Sequence, residues 1–192
     1  MKTLARLLTL TLIVGSASAA LASDDKFAAR LSGYNEVHFI AAPTPALRGA
    51  VSSPAKGTFQ IRIDDRKDVI QYDLTYEGLT TDVTQAHIHF GQRHTVGAIV
   101  VWLCQTQGTP APAAVAALTP FCPPQGTVTG TIVPAQVITA TGQGIDAGEF
   151  DEVVRAIRAG TVYANVHSTL FPPGEIRGQL HDGDRHHGGH GR

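Results

Sequence analysis

The stretch that decides the fold is Thr58–Leu79, TFQIRIDDRKDVIQYDLTYEGL. Phe59, Ile61 and Ile63 alternate with Gln60 and Arg62. After the polar DDRKD the alternation resumes in Ile70, Tyr72, Leu74 and Tyr76. A period of two puts the apolar set on one face of a strand and the polar set on the other. Two such runs joined by a short charged turn read as an antiparallel hairpin. The turn residues Asp64, Asp65, Arg66, Lys67 and Asp68 lack the spaced oxygen ligands and the glycine of a calcium loop, so they read as a solvated turn.

The same pattern extends to both sides of the hairpin. KFAARLSGYNEV reads as a first strand ending at Gly33. HFIAAPTPALRGAVSSPAKG reads as loop, because Pro43, Pro45 and Pro54 block regular pairing. Downstream come QAHIHFG (85–91), GAIVVWLC (97–104), GTVTGTIV (126–133), TVYANVHS (161–168) and GEIRGQLH (174–181), the last two joined by the Pro-Pro-Gly turn of TLFPPG. GAIVVWLC is almost continuously apolar, which predicts a central strand covered on both faces. One segment breaks the period: DAGEFDEVVRAIRAG carries Phe150, Val153, Val154 and Ile157 at helical spacing. The spacing predicts a short α-helix near 147–159, with Asp146 as N-cap, Glu149 completing a capping box and Gly160 at C′. Seven to nine strands, one helix and no βαβ alternation predict an all-β, antiparallel sandwich or barrel.

The 192-residue chain carries a net charge of −1. So balanced a charge offers no field to attract nucleic acid or anionic membranes. The N-terminus reads as an export signal over residues 1–22: Lys2 and Arg6, then the apolar LLTLTLIV, then small-residue sites ending at Ala19 and Ala22, the second favoured. The apolar run falls well short of the ~20 residues a spanning helix needs, and no later segment qualifies, so no membrane span is expected after cleavage. Export implies a periplasmic or secreted protein in an oxidising space. The only two cysteines, Cys104 and Cys122, are therefore expected to form a disulfide that closes QTQGTPAPAAVAALTPF. After Cys122 and the strands that follow it, residues 182–192 read as a disordered, His/Gly-rich tail. Asp182, Asp184, His186, His187 and His190 could hold Zn²⁺ or Cu²⁺ there only loosely.

Strand alternation groups a set of polar side chains. Gln85, His87 and His89 share one face of QAHIHFG; Tyr163, Asn165 and His167 share one face of TVYANVHS; Glu175, Arg177, Gln179 and His181 share one face of GEIRGQLH. If the three strands are neighbours, these faces merge. Two readings of the merged face stand side by side. In one, each histidine is a hydrogen-bonded staple, and Arg177 pairs with Glu175 or another carboxylate. In the other, His87 and His89, roughly 6.6 Å apart along a strand, bind one ion, with His167 or Glu175 as a further ligand. Imidazole donors of this kind suit copper or zinc. No G-x-S-x-G, H-E-x-x-H or Walker pattern occurs. GQGIDAG contains a G-x-G but does not open a βαβ unit, and Ser168 points away from its neighbour His167.

FAARLSGYNEV, QAHIHFG, VVWLC and GEFDEVVRAIRAGTVYANVHSTLFPPGEIRGQL follow one another in the order expected of a CHRD domain, the domain named for chordin. The chain resembles that family from about Phe27 to Leu180, in its exported single-domain form, with the domain taken as 23–181. It departs from the family pattern at EVHFIAAP and at GQRHTVGAIVV. The cysteine-rich repeats of chordin are absent, so growth-factor antagonism does not carry over. The resemblance implies an extracellular β-sandwich of Greek-key type, immunoglobulin- or superoxide-dismutase-like. It implies a binding or structural module without catalytic residues, whose partner is an unknown protein or small ligand. His87, His89, Asn165, His167, Glu175 and Arg177 match the family motif. The candidate metal set is His87, His89 and His167; a fainter likeness, of HIHFG to the H-x-H strand of copper/zinc superoxide dismutase, supports testing it for metal.

Overall fold

A computed structural model describes residues 25–40 and 47–183. The expected signal segment 1–22, Pro43 and Pro45, and the tail from Asp184 lie outside the described residues. The elements are β1 (Asp25–Ser32), β2 (His38–Ile40), β3 (Leu47–Gly49), β4 (Lys56–Asp64), β5 (Val69–Glu77), β6 (Val83–Phe90), β7 (Ala98–Cys104), α1 (Ala113–Ala116), β8 (Gly126–Ile132), α2 (Phe150–Arg158), β9 (Val162–Ser168), β10 (Ile176–Gln179) and β11 (His181–Asp182).

The opening hairpin forms as the alternation predicts. β4 and β5 pair antiparallel from Lys56↔Glu77 to Asp64↔Val69, and Phe59, Ile61, Ile63, Ile70, Tyr72, Leu74 and Tyr76 are all buried. Nine strands join into one antiparallel sheet in the order β7-β6-β9-β10-β1-β4-β5-β8, with β11 also paired to β1; β2 and β3 form a separate two-stranded ribbon. The sheet curls until it is nearly closed, so that its inner face wraps one apolar core. Its two ends are tied across the gap: the Tyr72 hydroxyl on β5 donates to the Leu103 carbonyl on β7 at 2.8 Å. α2 lays Phe150, Val153, Val154 and Ile157 on the same core.

Several expectations need correction. β7 is the end strand of the sheet rather than a central one. It is buried on both faces because the segment closed by the Cys104–Cys122 disulfide folds over it, with Ala111 and Val115 against Trp102. That segment, expected to be plain loop, contains the single turn α1. α2 begins at Phe150, not near 147, because Gly148 takes φ +85, outside the helical region. Asp146 is therefore not the N-cap, although the Glu149 carboxylate does accept the Asp146 N–H at 2.8 Å. At the other end Gly160 sits left-handed at C′ as the spacing predicts, and the N–H groups of Gly160 and Thr161 close onto Ile157 and Ala156. Finally, Asp182 does not begin a tail, since it pairs with Phe27 in β11. The proline-rich 38–57 segment also holds β2 and β3, whose residues avoid all three prolines.

Candidate metal centre

The three strands that carry the polar faces are adjacent, in the order β6-β9-β10. Their register aligns Trp102, His87, Asn165 and Arg177 in one row across the sheet. His89 pairs with Tyr163, and Gln85 with His167. This is the outer face of the curled sheet, yet His87, His89 and His167 are 0%, 7% and 4% exposed. Two loops fold over it from opposite ends: residues 91–97, which join β6 to β7, and residues 169–175, which join β9 to β10.

Beside the histidines the β6–β7 ladder is irregular twice. Ala86 faces Cys104 but His87 faces Trp102, and Ile88 faces Val101 but His89 faces Ile99. Leu103 and Val100 are thus extra residues on β7, and such bulges twist a strand and re-aim its neighbours' side chains. One ring nitrogen from each of His87, His89 and His167 lies within 4.8 Å of the other two. The closest pair is His87 Nδ1 and His167 Nε2, at 3.1 Å.

Two further ring nitrogens show how His89 and His167 are held, while His87 Nε2 is buried with no hydrogen-bond partner among the described residues. His89 Nδ1 donates to the Gly97 carbonyl at 2.9 Å, and His167 Nδ1 donates to the Pro172 carbonyl at 2.7 Å. Each covering loop therefore orients one histidine, as the backbone partners of metal-bound imidazoles do. The Tyr163 ring stacks on His89 with centroids 4.7 Å apart, and His87 sits edge-on to Trp102 at 4.2 Å.

Proton bookkeeping then leaves a surplus of lone pairs. Burial holds His89 and His167 down at about 4 and pushes His87 well below its usual value, with the neighbouring imidazoles adding to the effect on His87 and His89. All three rings are neutral at pH 7, so a ring that donates through Nδ1 carries a lone pair on Nε2. His89 Nε2 is buried with no hydrogen-bond partner among the described residues. His167 Nε2 faces His87 Nδ1 at 3.1 Å and also Asn165 Oδ1 at 3.0 Å. His87 Nδ1–H can donate to that lone pair, but Asn165 Oδ1 meets it acceptor to acceptor.

The other polar residues surround the cluster rather than join it. Arg177 donates to the Thr95 carbonyl at 2.7 Å and to the Gln92 carbonyl at 3.0 Å, and its guanidinium lies 3.3 Å from the Tyr163 ring centroid. It clamps the 91–97 loop by carbonyls, so the expected pairing with Glu175 does not form. Glu175, fully buried just before β10, accepts from the Ser53 hydroxyl at 2.6 Å, the Thr80 N–H at 2.8 Å and the Thr80 hydroxyl at 2.7 Å. Burial raises its pKa, but a hydrogen bond from the Ser168 side chain together with these bonds outweighs burial and holds it below the usual carboxylate range. It ties two distant loops to the strand and is outside the ligand set. Gln179 donates to the Gly91 and Gly160 carbonyls.

Sequence reasoning missed one acid. Glu36, in YNEV just after β1, is buried against Asn165 and Arg177, and burial pushes its pKa up to about 7. The close approach explains Gly174: at φ +134, a Cβ there would lie 2.5 Å from Glu36 Oε1 and 2.8 Å from Asn165 Nδ2. Neither Glu36 nor the bulges on β7 carries a signal that alternation could reveal.

The family model of the CHRD domain matches residues 27–180, from β1 through the end of β10. The chain belongs to the CHRD-domain family. The match includes every residue of the histidine cluster, Glu36, both cysteines and α2. No curated protein and no solved structure matches the chain. Among the described residues of this CHRD domain, no helix is long and apolar enough to cross a membrane.

Proposed function

We propose that this CHRD-domain protein is exported and acts in the periplasm or outside the cell as a non-catalytic binding module. Its ligand is a copper or zinc ion held by His87 Nδ1, His89 Nε2 and His167 Nε2. The observation that carries the reading is the convergence of three buried imidazoles, one ring nitrogen of each within 4.8 Å of the other two, with His89 Nε2 unpartnered and His167 Nε2 meeting Asn165 Oδ1 acceptor to acceptor. The Gly97 and Pro172 carbonyls support it, since they fix the tautomers that aim Nε2 inward. Three neutral imidazoles with an open fourth position match the donor sets of known zinc and copper sites. Export is supported by the basic and apolar N-terminal run and by the Cys104–Cys122 disulfide. No side chain of the cluster is placed as nucleophile beside a base, which favours binding over catalysis.

The test is metal content by mass spectrometry on mature protein purified without nickel resin or chelators. The background carries His186→Ala, His187→Ala and His190→Ala, so that the tail cannot contribute. About one copper or zinc per chain, lost in His87→Ala/His89→Ala, is the expected result. Metal-free protein that takes up none on titration, together with a destabilised double variant, would make the histidines hydrogen-bonded staples instead.

A further inference from the structure

The charges around the cluster distinguish one ion from another. No carboxylate belongs to the ligand set. Of the two buried carboxyl groups near the cluster, Glu175 turns to the loops and is committed to Ser53 and Thr80. Glu36 reaches only as far as Asn165 and Arg177, and burial biases it toward the neutral acid. The one fixed charge stacked into the cluster is positive: the Arg177 guanidinium lies on Tyr163, and Tyr163 stacks on His89. An ion entering this site leaves its hydration shell for three neutral nitrogens in a dry, cationic surround. The cost of burying an ion grows with the square of its charge, and repulsion from Arg177 grows with the charge itself. Both effects penalise a divalent ion more than a monovalent one.

Resting on the proposed three-histidine site, we infer that its preferred occupant is the monovalent cuprous ion rather than Zn²⁺. Trigonal coordination by three imidazoles satisfies a cuprous ion without a fourth donor. Zn²⁺ wants a fourth ligand, and no carboxylate stands in the ligand set to offset its charge. Arg177 and Glu36 act here as positioning charges, through the field they set at the ion rather than by touching it.

The experiment is competitive metal binding on the full mature chain, again with the three tail histidines replaced. Cu(I) is supplied anaerobically with ascorbate against a colorimetric cuprous chelator, and Zn²⁺ against a fluorescent zinc chelator. The expected result is one Cu(I) per chain, bound at least about 100-fold more tightly than Zn²⁺ and lost in His89→Ala. Arg177→Gln should narrow the Cu(I)/Zn²⁺ ratio by roughly tenfold, and Glu36→Gln should hold or widen it. A purely structural role for either residue would change both affinities together and leave the ratio alone. Equal or tighter Zn²⁺ binding at the same histidines would overturn this inference and leave the metal site standing. A ratio indifferent to Arg177→Gln would overturn the charge argument. Failure of both ions to bind the histidines would remove the site itself.

Discussion

Lowering the pH should destabilise the metal-free protein, and Glu36 should hide part of the effect. His89 and His167 are held at about 4 in the folded chain, against the ordinary imidazole value of 6.5. Their folded values lie below their unfolded ones, so the unfolded chain binds more protons as pH falls through 6.5. Stability from these groups is fully present above that value and is lost on the way down to about 4. Between about pH 7.5 and about pH 5 the two rings together remove about 4 kcal/mol, an upper figure, and His87 acts in the same direction. Glu36 runs the other way. Its folded value of about 7 lies above the ordinary glutamate value of 4.5, so its contribution is present at low pH and lost as pH rises through about 7. Over the same interval Glu36 returns about 2 kcal/mol. The wild-type protein should therefore lose about 2 kcal/mol, and Glu36→Gln, which removes the opposing titration, should lose about 4 kcal/mol. Urea unfolding followed by tryptophan fluorescence reports both, since Trp102 packs directly on His87. Stability that is flat or rises toward pH 5 in Glu36→Gln would refute the assignment of buried neutral histidines.

Other expectations follow from the same structure. Cys104→Ser/Cys122→Ser opens a covalent loop of sequence separation 18 and should cost about 3 kcal/mol in urea unfolding. Arg177→Gln removes the donors to the Thr95 and Gln92 carbonyls, so hydrogen exchange should accelerate in residues 91–97 while the β4–β5 hairpin stays protected. Glu175→Gln weakens the bonds to Ser53 and Thr80 and should lower stability by about 1–3 kcal/mol, with no change in metal stoichiometry.

The β4–β5 hairpin was legible because a solvent-facing outer side and an apolar inner side give a strict period of two. The adjacency of β6, β9 and β10 followed from nothing local, but the alternation already grouped His87, His89, Asn165 and His167 on faces that could merge. The place of β7 in the sheet was misjudged because an end strand covered by a disulfide loop has the same apolar composition as a central one. Glu175 was assigned to the histidine face by counting residues outward from Arg177. The strand begins only at Ile176, so the count does not hold at Glu175 and its side chain turns to the loops. Glu36 was invisible for a different reason: its role depends on the return of Gly174 and Asn165, more than a hundred residues later.

The central claim, an ion held by Nδ1 of one histidine and Nε2 of two others, is most directly tested by NMR of the imidazole nitrogens. Protein labelled with ¹⁵N-histidine would be compared metal-free, with Zn²⁺ and with Cu(I), both diamagnetic. The account predicts Nδ1–H tautomers at His89 and His167 throughout, and metal-induced shifts confined to His87 Nδ1, His89 Nε2 and His167 Nε2. Shifts confined to His186, His187 and His190, or none at all, would contradict it.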